Sequence, residues 1–140
     1  MQKIGYMDNT VNIYNITPQL KHDERGWTIN PLSKEFRTIS DAGHLHIVSI
    51  TPGSVRGNHI HTTTAEWIVC WGAKVLFVWE INGEKKEMNF DDDKAYLVQI
   101  PMGVCHACKN IDTKDSYLFS YYEKEVVNYD KTTIRKTLLS

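Results

Sequence analysis

A chain of 140 residues that is 41% hydrophobic is long enough for one domain with a substantial core and too apolar for a disordered segment. Its 16 basic and 17 acidic side chains leave a net charge of −1, without the basic excess of a nucleic-acid-binding module, and no apolar run approaches the ~20 residues that span a bilayer. Three irregularly spaced cysteines argue against a secreted disulfide scaffold, and Met1–Asp8 lacks the apolar core of a signal peptide, so a cytoplasmic location is expected.

In chain order, Val11–Ile16 is β-prone and is ended by Pro18. His22–Gly26 reads as a polar turn, Trp27–Ile29 as a short strand stopped by Pro31, and Ser33–Ile39 as a strand or loop before the turn signal Asp41-Ala42-Gly43. His44–Thr51 alternates, with His44, His46, Val48 and Ile50 on one face and Leu45, Ile47 and Ser49 on the other. Pro52-Gly53 closes it, and His59–Thr62 and Ala65–Trp71 follow as strands. Lys74–Ile81 and Glu84–Phe90 should pair as a hairpin about Asn82-Gly83. Asp91-Asp92-Asp93 is a solvated turn, lacking the spaced ligands of a calcium loop. Ala95–Ile100 is halted by Pro101 and Gly103, and His106–Asn110 and Tyr117–Tyr122 are the last strands; only Tyr129–Leu139 has helical character. Short strands separated by turns, without an internal repeat or linker, predict one all-β antiparallel sandwich or barrel over residues 1–140.

The chemistry concentrates in Gly53–Gly72. His59 and His61, two apart on a strand, share a face, and Glu66 follows, a plausible start of a divalent-metal site. His106, entering from the Pro101-x-Gly103 turn, completes a set of three histidines and one carboxylate. Such a set leaves one or two positions open on a five- or six-coordinate ion, as a catalytic site requires; zinc, nickel, iron and manganese are the candidates. Trp67 and Trp71 have the opposite parity to Glu66 and should pack between sheets or at a dimer contact. Cys105-x-x-Cys108 lacks the second pair of a structural zinc site and reads as buried packing.

The spacing Gly53, five residues, His59-x-His61, four residues, Glu66, five residues, Gly72 resembles the first cupin motif, its last spacer one residue short. Pro101, Gly103, His106 and Asn110 match the second motif, with Ala95 in place of its opening glycine. The resemblance implies a small β-barrel of double-stranded β-helix (jelly-roll, cupin) type, commonly a homodimer. Arg56-Gly57-Asn58-His59-Ile60-His61 is similar to cupins that act on nucleotide-linked keto-sugars. These include the dTDP-4-dehydrorhamnose 3,5-epimerases and the dTDP-sugar 3,4-ketoisomerases. With its gap to Glu66, the stretch looks most like the cupin domain of capsular polysaccharide enzymes. Asp23-Glu24-Arg25-Gly26-Trp27 resembles the entry of the epimerases, and Tyr121-Tyr122 with Tyr129-Asp130 the tail of the ketoisomerases.

In that setting the resemblance implies His59 as general base beside a ketone, Tyr121 as the group returning the proton or stabilising the enolate, and Arg56 on a diphosphate. Arg25 and His46 are further candidates for substrate contact, although His44 and His46 also suit a core or rim position. A metal-bound His59 is a poor base, so metal-loaded and metal-free readings assign it differently. The expected partner is a small molecule, possibly a nucleotide-linked sugar, with no nucleic acid or membrane. The same ligands also serve a metal-dependent dioxygenase, a small-molecule isomerase of another class, or a non-enzymatic sugar- or acid-binding cupin.

Overall fold

The computed structural model describes residues 2–4, 11–31, 44–123 and 128–140. The expected strand or loop at Ser33–Ile39 and the turn at Asp41–Gly43 lie outside them. In order, the strands are β1 (Gln2–Ile4), β2 (Asn12–Asn15), β3 (Leu20–Asp23), β4 (Gly26–Ile29), β5 (His44–Ile50), β6 (Val55–His61) and β7 (Glu66–Trp71). They continue as β8 (Val75–Ile81), β9 (Glu84–Phe90), β10 (Tyr96–Ile100), β11 (Cys105–Asn110), β12 (Ser116–Tyr122) and, after a helical turn α1 (Tyr129–Thr132), β13 (Thr133–Arg135).

Two antiparallel sheets form the body: β1-β2-β10-β7-β12-β5 and β13-β6-β11-β8-β9. Their inner faces meet over Ile13, Ile68, Phe77, Trp79, Phe90, Val98 and Leu118, among others, all buried. This is the jelly-roll sandwich that the two motifs imply. The β8–β9 hairpin turns at Asn82-Gly83, whose φ values of 52° and 78° suit the two-residue turn expected there. β9 alternates between exposed and inward residues because only one of its faces is covered.

The six-stranded sheet is covered on both sides. On its outer face Val69, Trp71, Leu97, Phe119 and Tyr121 form a second apolar cluster with Ile16 and Leu20. The β3–β4 hairpin closes over it, with Trp27 edge-on to Trp71 at 5.2 Å. This explains the nearly continuous burial along β7 and β12. Trp71 therefore lies between the six-stranded sheet and this small hairpin, and Trp67 stacks on Tyr121 on the same face. His22 and Asp23, read as turn residues, belong to β3, and the turn itself is Glu24-Arg25.

The tail departs from its helical expectation after one turn. Thr133-Ile134-Arg135 is extended and pairs with β6. The β-branched Thr132, Thr133 and Ile134 disfavour helix continuation, and the open edge of β6 offers pairing instead. Among the described residues no helix is long and apolar enough to cross a membrane.

Candidate metal and substrate site

β6 does not run straight. His59 pairs with His106 and Gly57 with Ala107, leaving Asn58 as an extra residue, a β-bulge. Gly57 sits at φ +93°, and a Cβ there would lie 2.8 Å from the His106 carbonyl oxygen and 2.9 Å from Ala107 Cα. Asn58 takes φ 57°, a value asparagine tolerates. Parity alone would put Arg56 on the face opposite His59. The extra residue reverses that parity, so Arg56, His59 and His61 face the space between the sheets together.

Glu66 answers from the other sheet. Its Oε2 lies 3.0 Å from His106 Nε2, 3.1 Å from His61 Nε2 and 3.9 Å from His59 Nε2. Its Oε1 accepts a 2.6 Å hydrogen bond from Ser120 Oγ on β12. All four candidate ligand atoms lie within 4.8 Å of one another. The backbone carbonyl of Val104, which can only accept, stands 3.1 Å from His106 Nδ1. That nitrogen must carry a proton, and Nε2 is the ring nitrogen turned into the cluster. Thr133 Oγ1 lies 3.4 Å from His61 Nδ1, a contact in which either group can donate.

The charges agree with a cation site. Burial, then the neighbouring His106, push the His59 pKa down to about 4, so His59 is neutral at pH 7. Burial acts to raise the Glu66 pKa, but His106 and His61 outweigh it and hold the group well below the usual carboxylate range. His106 Nε2 and the Glu66 carboxylate thus face each other at 3.0 Å, both buried, a spacing at which the carboxylate either accepts from the imidazole or shares a cation with it. The donor set, nitrogen with one carboxylate, suits zinc, nickel, iron or manganese.

Residues 21–133 match the sequence profile of the family described as polysaccharide biosynthesis C-terminal domain. The chain belongs to that family. Its fold is shared with the capsular polysaccharide assembling protein CapF from Staphylococcus aureus, at 22% identity and a TM-score of 0.63 over 85% of this chain and 32% of CapF. The domain thus spans about a third of the CapF chain. It is also similar to QdtA, a sugar 3,4-ketoisomerase from Thermoanaerobacterium thermosaccharolyticum (15% identity, TM-score 0.68, 93% of this chain and 90% of that one). A dTDP-4-dehydrorhamnose 3,5-epimerase from Sulfolobus tokodaii matches at 15% identity and a TM-score of 0.72, over 99% and 84% of the two chains. Among curated proteins no relative is detectable.

In this polysaccharide-biosynthesis domain His59, Glu66 and His106 of the cluster line a cavity of about 310 Å³. Val48, Val55, Ile68 and Leu118 give it apolar walls, and Arg56, His46 and Arg135 are its other polar lining outside the cluster and Ser120. His46 pairs in register with Ser120, and its ring packs 5.8 Å from both His44 and Tyr122. Burial lowers its pKa.

Two expected site residues are placed elsewhere. Tyr121 follows Ser120 by one position and so projects from the outer face, fully buried and stacked on Trp67 at 5.9 Å. Tyr122 is the tyrosine on the cluster side, its ring 5.0 Å from His61. Arg25 lies exposed at the β3–β4 turn, paired with Asp23 at 2.6 Å, on the covered outer side of the six-stranded sheet. Sequence reasoning missed Ser120, Tyr122, Thr133 and Arg135. The parity of β12 relative to Glu66 could have pointed to Ser120 and Tyr122; no local signal marks the other two.

Proposed function

We propose that this domain binds a divalent metal and a nucleotide-linked keto-sugar. It epimerises or isomerises that sugar during surface polysaccharide synthesis, by removing and returning the proton beside its ketone. The observation that carries the reading is the convergence of His59, His61, Glu66 and His106, three of which line a cavity that Arg56 also lines. Likeness to a sugar 3,4-ketoisomerase and to a 3,5-epimerase supports it. A metal on these four side chains would supply a Lewis acid to the ketone oxygen.

The remaining roles fall to the protein's own groups. Arg56 holds the diphosphate; its present contacts, 3.3 and 3.4 Å to the Ser49 carbonyl, are long and readily exchanged. The apolar walls shield the sugar from water. With His59 engaged as a ligand, His46 is the cavity imidazole left to take the proton, and its lowered pKa keeps it neutral at pH 7. The proposed nucleotide-linked substrate fits a cytoplasmic reaction.

The test is solvent deuterium incorporation into a panel of dTDP- and UDP-linked keto-sugars. Exchange is expected with the native domain, lost in His46→Ala with metal retained, and lost together with metal in His59→Ala. No exchange across the panel contradicts the reading.

A further inference from the structure

β13 does more than extend a sheet. It pairs with β6 in the register Thr133↔His61, Ile134↔Ile60 and Arg135↔His59. Alternation puts Thr133 and Arg135 on the cavity face and Ile134 outside, where it is 52% exposed. Arg135 accordingly lines the same cavity as Arg56, which the bulge turned inward. Two guanidiniums from neighbouring strands therefore share one cavity. Among the described residues neither forms an ion pair with a carboxylate, and the one acid lining the cavity, Glu66, is engaged by Ser120 and the histidines.

Arg135 is held in place from both sides. Before it, the Thr132 carbonyl accepts from Thr62 N at 3.0 Å and from Thr62 Oγ1 at 2.7 Å. After it, Lys136 N donates to the Asn58 carbonyl at 2.9 Å, and the Lys136 ammonium pairs with Glu80. Asn58 Oδ1 accepts from Leu138 N at 2.8 Å and Leu139 N at 3.1 Å, while its Nδ2 donates to the Leu139 carbonyl at 2.8 Å. The bulge residue that turns Arg56 inward is thus also the residue that fastens the segment carrying Arg135. Like charges gathered this way, without an acidic counterpart, are matched by an anion able to accept from both forks.

We propose that Arg135 and Arg56 form a two-arginine clamp for the diphosphate of a nucleotide-linked substrate, so that the C-terminal strand is part of the substrate site. The nucleoside end of that ligand rests on the functional reading above; the clamp rests on the two arginines. Arg135 is a positioning group for the phosphates and takes no part in proton transfer.

The experiment is calorimetric titration of the metal-loaded domain with UDP, dTDP, inorganic pyrophosphate and the phosphate-free nucleosides. Arg135→Ala is expected to weaken diphosphate binding by about tenfold or more, with unchanged metal content. Arg135→Lys, which keeps the charge but not the fork, should recover only part of the affinity. It also guards against a loss caused by misfolding, and Lys21→Ala, on the exposed β3, controls for net charge. If UDP or dTDP binds and responds to Arg56→Ala but not to Arg135→Ala, the clamp is overturned and the nucleotide-sugar reading stands. Pyrophosphate binding that depends on Arg135, without preference for a nucleoside diphosphate, upholds the arginine pair and overturns the nucleotide. Binding of neither by the native domain overturns both.

Discussion

The space between the two sheets is filled in two ways. Toward β8, β9 and β10 it holds an aromatic stack: Phe77 on Trp79 at 5.3 Å, Phe77 on Phe90 at 5.7 Å and Phe90 on Tyr96 at 4.1 Å. Toward β6, β11 and β7 it holds three imidazoles around a carboxylate, and a cavity. The first region gains free energy by removing rings from water. The second keeps buried polar groups whose desolvation must be offset by a bound cation or by hydrogen bonds. Stability and chemistry are therefore drawn from different parts of the same interior, and substitutions should separate them.

The largest separation is expected at the ligands. Glu66→Gln or His106→Ala should cost more metal affinity than the roughly 100-fold upper range for loss of an outer-shell partner, with a cooperative melt retained. Equilibrium dialysis with zinc reads the first effect and calorimetry the second. In the aromatic region the pattern inverts. Phe90→Ala should remove about 3–5 kcal/mol of stability, measured by urea denaturation, while the folded fraction keeps its metal stoichiometry. Ser120→Ala lies between the two. It removes the 2.6 Å bond that orients Glu66, and should weaken metal binding by roughly 10–100-fold with little change in the melt.

The smallest effect concerns pH. His59 has its pKa lowered to about 4 in the fold, chiefly by burial, against an ordinary value of 6.5. Between these values the unfolded chain binds the proton better. The metal-free domain should therefore lose stability as pH falls from about 6.5 toward 4 and regain it as pH rises. A melting series should show this slope, and His59→Gln should flatten it. A slope unchanged in His59→Gln would assign it to other groups.

The candidate cluster could be read from the chain because each of its residues sits on a short strand next to a turn with its own signature. His59 and His61 share a face by parity, and Pro101-x-Gly103 fixes the entry to His106. Arg56 was different. Parity sends it outward, and only the resemblance pointed to it, because the bulge at Gly57-Asn58 depends on a close approach to β11 that alternation does not encode. Nothing local marks which of Tyr121 and Tyr122 turns inward, because the six-stranded sheet is apolar on both faces. Arg25 carries a motif but no information about where its hairpin packs. Arg135 was hidden for a third reason. Its segment looks helical, and its extended form depends on pairing with a strand more than 70 residues earlier, as the Thr133–His61 contact does.

The central claim is that four side chains from two sheets hold one metal ion. The most direct measurement is the metal content of the purified domain and of Glu66→Gln after loading with zinc, nickel, iron or manganese and exhaustive desalting. The expected result is about one ion per chain in the native domain and little in the variant. Negligible metal in both, or equal metal in both, would contradict the account.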